Sequence, residues 1–165
     1  MNYKEFTEII KFQINNLTDQ KCIEFGLWIC NRLLPEYQKF YDQNNWGDPD
    51  KLKEAIEFCE ISNSNIITDQ NILSDLIEQV EAIIPNTEDF GDYSGSYALN
   101  SSASVLELLE YFVDKDKSHI VNISEYMTDT IDFKIREMKP ELTDAEANKD
   151  AEIINEWNQQ IELTK

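Results

Sequence analysis

Residues that carry positive charge and residues that break helices are both scarce in this sequence. Its 165 residues include four glycines and four prolines, which argues against collagen-like and linker-rich architectures. Lysine and arginine number 14 against 33 aspartates and glutamates, a formal net charge of −19. Because nucleic-acid binding requires clustered Lys and Arg that contact phosphates, this balance argues against DNA or RNA as a partner.

Segments that direct a chain into or across a membrane are also missing from the sequence. The start, MNYKEFTEII, has no apolar run followed by small residues, so it does not resemble a signal peptide. No stretch approaches the roughly 18 apolar residues that a membrane span needs. Anionic lipids repel an acidic surface. These absences predict a cytoplasmic protein that binds no membrane.

The three cysteines, Cys22, Cys30 and Cys59, have no CxxC spacing. Cys22 and Cys30 lie eight residues apart on one predicted helix, more than about 10 Å along its axis. That separation is too large for a disulfide. We therefore expect reduced, buried thiols, as is usual in the cytoplasm.

Apolar residues recur at helical spacing along almost the whole chain, and the alternation typical of β-strands is nearly absent. With 41% hydrophobic residues, the chain is long enough to bury one core. We therefore predict a single all-α domain over residues 1–165, a compact bundle of about seven helices. The predicted helices begin at about Tyr3, after Thr18, at Pro49, after Thr68, near Tyr97, at about Lys117 and after Thr143.

Prolines and capping residues predict where individual helices begin and end. Pro35 is expected to break or kink the second helix, and it can also open a new turn. Pro85 is expected to end the helix that Thr68 caps. Thr143 and Glu146 have the spacing of a capping box that begins the last helix.

The negative charge is concentrated in the middle of the sequence. Residues 54–114 contain 13 acidic residues and no lysine or arginine, a net charge of −13. Residues 1–53 have seven basic and eight acidic residues, and residues 115–165 have seven and 12. Like charges at this density lower stability by repelling one another.

Two interpretations of this charge remain open: the acids only keep the surface soluble, or they form a docking face for a basic protein partner. The second interpretation predicts a non-catalytic acidic binding module, regulatory or of the immunity type, for which a homo-oligomer is also open. Exposed aromatic residues in the loops would then serve as anchors. The predicted partner-binding residues are Asp75, Glu78, Glu81, Glu88, Asp89, Asp92, Tyr93 and Trp46.

Residues for catalysis and for cofactor binding are few. His119 is the single histidine, so it cannot supply the two ExxH motifs of a helical di-metal site. Because it lies near a predicted helix start, we interpret it as an exposed polar residue or a polar residue of the capping region. Neither a GxSxG motif nor a Cys–His–acid arrangement is visible. We therefore assign no catalytic residue, no cofactor and no metal ligand from the sequence.

An alternative function remains open because hard cations need only oxygen ligands. Glu88, Asp89 and Asp92 could contribute to an Mg²⁺ or Ca²⁺ site in a metal-dependent enzyme or sensor, although the spacing of an EF-hand is absent. Three pairs of glutamates also lie one helical turn apart: Glu57 and Glu60, Glu78 and Glu81, and Glu107 and Glu110.

Two long stretches resemble the YjaG-like bacterial proteins, a family with a domain of unknown function (DUF416). The first contains an Arg-x-x-Pro-x-Tyr-x-x-Phe segment and an aromatic-Gly-Asp turn: CIEFGLWICNRLLPEYQKFYDQNNWGD. The second contains a Pro-x-x-x-Asp-Phe loop: IEQVEAIIPNTEDFGDYSGSYALNSSASVLELL. The resemblance covers about residues 5–160. It implies an all-helical, acidic, cytoplasmic protein, and it carries over no activity and no site residues.

Overall fold

The chain forms helices joined by short links in the computed structural model, which describes residues 1–65 and 67–165. Within those residues there are eight α-helices, one 3₁₀ turn at Thr87–Asp89 and no β-strand, which confirms the all-α prediction. The α-helices are α1 (Tyr3–Asn16), α2 (Asp19–Asn44), α3 (Pro49–Asn65), α4 (Gln70–Glu81), α5 (Ser94–Asp114), α6 (Ser118–Met138), α7 (Asp144–Ala147) and α8 (Ala151–Leu163).

The centre of the bundle is the contact between α2 and α5, and α6 packs against both. On one side, α3 packs against α2, and α4 packs against α5. On the other side, α8 and α1 pack against α6. At Gly26, α2 comes so close to α5 that an added Cβ would lie 2.8 Å from Leu108. None of the described helices is both long enough and apolar enough to span a membrane.

The helix starts confirm two predicted caps and correct a third. Thr18 accepts a hydrogen bond from the Lys21 amide at the start of α2. Asp48 accepts from the amides that follow Pro49, as the Asp-Pro signal predicted. The prediction for Thr68 was wrong: Asp69 is the N-cap of α4, and its carboxylate accepts from two amides at 3.0 and 3.1 Å. A carboxylate suits the positive end of a helix dipole.

The break expected at Pro35 does not occur, because α2 continues as one helix to Asn44. Pro35 itself is exposed, while Leu33, Tyr37 and Phe40 on either side of it are buried in the same core. An interior proline costs about 3 kcal/mol. Burying one aromatic side chain contributes about 1.5–3 kcal/mol, so packing of both segments on one core offsets the proline.

The last helix begins later in the chain than the sequence pattern predicted, because a short additional helix precedes it. The capping box of Thr143 and Glu146 is present, but it begins only the four-residue α7. The last helix, α8, starts at Ala151 behind a separate cap, where Asp150 accepts from the Glu152 amide at 3.0 Å. A helix start marked by the sequence therefore does not fix how far the helix runs.

All three cysteines are buried free thiols, as predicted. Burial raises the pKa of the Cys30 and Cys59 thiols well above the usual range. They therefore stay protonated and behave as small apolar core residues.

Candidate functional site

Six predicted binding residues form what we call the acidic surface. The residues of the acidic surface are Asp75, Glu78 and Glu81 on α4, Glu88 and Asp89 in the 3₁₀ turn, and Asp92 just before α5. All six are exposed. On α4 the acids face away from the core because the helix buries Leu73, Leu76 and Val80, which occupy its opposite side.

The carboxylates of the acidic surface have no ion-pair partner in the part of the chain that the structure describes. None of its six carboxylates forms a salt bridge there. Basic side chains pair with other acids instead: Lys134 with Glu36, and Lys139 with Asp150. The charge of the acidic surface is therefore not compensated by ion pairs within residues 1–65 and 67–165.

Tyr37, a tyrosine of the core, fixes the positions of the loop before α3 and of the segment that follows α4. The buried Tyr37 hydroxyl donates to the carbonyl of Ile83 at 2.7 Å and accepts from the Asp48 amide at 3.4 Å. Burial raises the pKa of Tyr37 to about 12, so the hydroxyl keeps its proton. Gly47, with φ of 92°, lets the chain pass that hydroxyl, with which any side chain there would collide.

Trp46 is held against aromatic neighbours and is only partly free to bind a partner. Its ring packs edge-on against Phe40 and Phe90, with centroid distances of 6.0 and 5.8 Å. The side chain is 37% exposed. Trp46 therefore packs on Phe90, the residue that directly follows the 3₁₀ turn with Glu88 and Asp89.

Tyr93 belongs to a different aromatic group. It is 42% exposed and lies 6.3 Å, between ring centroids, from both Tyr97 and Phe133. No aromatic pair among the described residues joins Tyr93 to Trp46. The two predicted anchors therefore lie in separate aromatic groups.

Asp92 also has surroundings unlike those of the other acids. Its carboxylate accepts from the Ser94 amide at 2.9 Å, where an acid stabilises the start of α5. It lines a cavity of about 310 Å³ together with Lys39 and Lys134, so its side of the molecule has mixed charge. The uncompensated part of the acidic surface is thus α4 and the 3₁₀ turn.

In the same cavity, Tyr97 donates a hydrogen bond to Glu137 at 2.6 Å. Burial and the neighbouring carboxylates raise the pKa of Tyr97. Tyr97 is therefore a hydrogen-bond donor at neutral pH and does not act as a base.

A second polar group, which we call the His119 cluster, consists of His119, Glu107, Glu110 and Asp114. His119 Nδ1 lies 2.5 Å from Glu107 Oε2 and 3.7 Å from Glu110 Oε2, and its Nε2 lies 3.1 Å from Asp114 Oδ2. The imidazole is only 16% exposed, so His119 is not the exposed residue that one interpretation expected, whereas its place as the second residue of α6 agrees with the other, a polar residue in a helix-capping region. The α5–α6 contact shields the ring from solvent.

The charges in this cluster influence one another. Burial lowers the pKa of His119, but its hydrogen bonds to Glu107 and Asp114 outweigh burial, and the pKa is raised overall. Burial and then the charge of Glu107 raise the pKa of Glu110, and Glu81 adds to the effect. The charge of Glu81 on α4 therefore influences Glu110, a member of the His119 cluster on α5.

The structure also tests which acids share a cation site. Within residues 1–65 and 67–165, a single set of three ligand atoms converges, each within 4.8 Å of the others: those of Glu107, Glu110 and His119. The loop acids Glu88, Asp89 and Asp92, named as contributors to a hard-cation site, are not such a set. The sequence marked Glu107 and Glu110 as a pair but did not connect them to His119. The available signal was the short link between two predicted helices, which places the end of one beside the start of the next.

Comparisons with known proteins agree with this fold. The model of the family "Protein of unknown function (DUF416)" matches residues 6–165. The "Uncharacterized protein YjaG" of Escherichia coli (strain K12) is 22% identical over 157 residues, covering 93% of this chain and 79% of that protein. The protein of the same description from Salmonella typhimurium has the same identity and coverage.

A solved structure has the same arrangement of helices. It is the crystal structure of a DUF416 family protein from Shewanella baltica OS155, with a TM-score of 0.80 and 24% sequence identity. The match covers 92% of this chain and 80% of that chain. The family match over almost the whole sequence shows that this chain belongs to the DUF416 family of proteins of unknown function.

Proposed function

We propose that this protein is a non-catalytic binding module that docks a basic protein on its acidic surface. The observation that supports the proposal is that none of the acidic surface's carboxylates has a basic partner within the described residues. Uncompensated like charges repel one another. A cationic partner would supply the missing charge and remove that repulsion.

The position of the acids on α4 adds support, because it opposes the stability of the helix. Glu78 and Glu81 lie in the last turn of α4, which has no basic residue. The C-terminus of a helix carries a partial negative charge, so acids there are unfavourable by about 0.3–1 kcal/mol each. Side chains that stabilise neither the core nor their own helix are consistent with a role in binding.

The chemistry of the surface indicates what kind of partner it fits. An array of exposed carboxylates attracts Lys-rich and Arg-rich protein surfaces over long range and speeds their association at low salt. Trp46, which is 37% exposed and packs on the residue after the 3₁₀ turn, offers an aromatic contact of the type that is frequent in binding hot spots. A module of this kind acts by covering a basic protein, in a regulatory or immunity-type role.

The direct experiment is affinity capture from a lysate of the native host at low salt, followed by identification of the retained proteins. The test variant carries Asp75→Asn, Glu78→Gln and Glu88→Gln, which remove three charges from the acidic surface. The control variant carries Glu8→Gln, Glu141→Gln and Glu152→Gln, three exposed acids outside it. Glu81 is left unchanged because its charge reaches the His119 cluster.

We expect one basic protein to be retained by the wild type and by the control variant and to be lost from the test variant. High salt should release it from all three. If the wild type retains no basic protein at low salt, or if the two variants lose it equally, the proposal is wrong.

A further inference from the structure

We propose that Glu107, Glu110 and His119 bind a single divalent transition-metal ion, with Zn²⁺ the best match. The proposal is independent of partner docking and rests on a different group of residues. One nitrogen and two oxygen ligand atoms already converge, each within 4.8 Å of the others. In a tetrahedral zinc site, ligand atoms about 2.0–2.1 Å from the metal are about 3.3 Å apart.

The observed distances are close to that requirement. Glu110 Oε2 lies 3.7 Å from His119 Nδ1, and Glu107 Oε2 lies 2.5 Å from it. A metal between them requires Glu107 Oε2 to move away from the ring by less than about 1 Å. A small side-chain rotation of Glu107 is sufficient, and the backbone of α5 and α6 can stay in place.

The backbone holds the three ligands near one another. Glu107 and Glu110 are one turn apart on α5, so both face the same side. His119 is the second residue of α6, which packs along α5 after a link of three residues. Ligands on two packed helices are positioned more firmly than ligands on a loop.

The residues around the three ligands have the arrangement that metal sites use to orient them. Asp114 Oδ2 lies 3.1 Å from His119 Nε2 and can accept a hydrogen bond from a proton on Nε2, a tautomer in which the lone pair of Nδ1 is free for a metal. Asn122 donates to Glu107 Oε1 at 3.0 Å and leaves Oε2 facing the ring. A histidine that only formed an ion pair with Glu107 would require neither orienting contact.

The charge of the cluster also favours a dication. Three carboxylates surround one imidazole, and Glu81 adds a fourth negative charge nearby. The two nearest lysines in the sequence have other partners: Lys117 donates to the carbonyls of Asn15 and Leu17, and Lys115 lies over the rings of Tyr111 and Phe112. A single protonated imidazole leaves this group negative, whereas a divalent ion balances the two glutamate ligands.

The ligand types select the metal. Imidazole suits zinc and related transition metals, while Mg²⁺ and Ca²⁺ prefer sites made entirely of oxygens. Three protein ligands leave at least one position for water, and the Glu110 side chain is 38% exposed. The site is therefore open to solvent and exchangeable.

The test uses the full chain, freed of metal with a chelator and titrated with ZnCl₂ alone in a calorimeter. We expect one Zn²⁺ per chain and a higher melting temperature with Zn²⁺, because a ligand that binds the folded state stabilises it. Glu110→Gln and His119→Gln should each abolish this binding. Asp114→Asn, which removes one negative charge and weakens the orienting contact but keeps all three ligands, should weaken it by about 10–100-fold.

The matched control is Glu57→Gln with Glu60→Gln, a pair of exposed glutamates one turn apart on α3. This variant loses the same kind of charge and should bind Zn²⁺ as the wild type does. Co²⁺ gives a second readout, since its visible spectrum reports a protein-bound tetrahedral ion that His119→Gln should remove. Absence of stoichiometric Zn²⁺ binding, equal binding by His119→Gln, or a preference for Mg²⁺ or Ca²⁺ would overturn the proposal.

Discussion

Arg32 on α2 forms a two-pronged salt bridge with Glu156 on α8, with nitrogen–oxygen distances of 3.0 and 2.7 Å. Glu156 is 3% exposed and also accepts from Gln160, which in turn accepts from Ser124 on α6. The guanidinium lies 4.3 Å from the centre of the Trp28 ring. This network joins three helices and explains why the bundle keeps a buried carboxylate.

Arg32→Ala should lower the free energy of unfolding by about 3 kcal/mol, because it leaves a buried carboxylate without its partner. The protein's other arginine provides a matched control: Arg136 pairs with Asp132 and with the exposed Asp144. Arg136→Ala should cost less than about 1 kcal/mol. Urea denaturation of both variants measures the difference, and equal losses would contradict the role assigned to Glu156.

The cap of α4 gives a prediction for two adjacent residues. Asp69→Ala should cost about 1 kcal/mol, because it removes the acceptor of two amides. Asp69→Asn should retain most of the stability, since asparagine caps equally well. Thr68→Ala should change it by less than about 0.5 kcal/mol. Urea denaturation measures the free energy of unfolding of all three variants. A larger loss of stability for Thr68→Ala would show that Thr68 caps α4, as the sequence predicted.

Asp150 gives a prediction about pH. Its hydrogen bond from Lys139 at 2.6 Å, helped by the Glu152 amide, lowers the pKa of the carboxyl below the usual value of 3.8. A carboxyl with a lowered folded-state pKa stabilises the protein above pH 3.8, and the contribution is lost as the pH falls through the folded pKa. Asp150→Asn keeps the cap, so it isolates the ion pair.

The wild type should therefore be more stable than Asp150→Asn at neutral pH, by less than about 1 kcal/mol. The difference should disappear in acid, below the folded-state pKa of Asp150. Unfolding experiments over the pH range test this, and a difference that grows toward acid would be inconsistent with a lowered pKa.

The cysteines give a chemical test of the core. A thiol reagent should react with none of the three in the native protein, because all are buried and burial raises the pKa of each. In denaturant all three should react. Rapid labelling of a single thiol in the folded protein would show that its part of the core opens.

The sequence predicted the helical class and most helix starts because apolar spacing and capping residues are local signals. It misjudged Pro35, where burial of Tyr37 and Phe40 outweighs a local preference. It placed His119 at a helix start but did not predict its partial burial, which depends on Glu107 and Asp114 of another helix. Apolar spacing within one helix does not report contacts between the side chains of two helices.

The same distinction between local signals and contacts between distant residues applies to the predicted binding residues. Exposure of Asp75 and Glu78 followed from their place on the polar face of a predicted helix, and that of Glu88 from its place in a predicted loop. The separation of Trp46 from Tyr93 did not, because it depends on which core aromatic each ring meets. Whether carboxylates are paired also depends on where distant lysines and arginines fall in the fold.

The acidic surface should itself reduce stability at low salt. The variant Asp75→Asn, Glu78→Gln, Glu88→Gln should have a free energy of unfolding about 0.5–1 kcal/mol higher than that of the wild type. The reason is that the substitutions relieve repulsion between like charges. Added salt should narrow the difference by screening. Thermal unfolding at two salt concentrations measures this. A variant less stable than the wild type would mean that these acids have stabilising contacts.

The most direct test of docking on the acidic surface is the dissociation constant of the captured basic protein, measured at low and at high salt. The wild type and the variant Glu8→Gln, Glu141→Gln, Glu152→Gln should bind alike at low salt. The variant Asp75→Asn, Glu78→Gln, Glu88→Gln should bind about tenfold more weakly there, since tenfold corresponds to about 1.4 kcal/mol shared by three charges. All three proteins should converge at high salt. Wild-type affinity in the acidic-surface variant at low salt would contradict the proposed function.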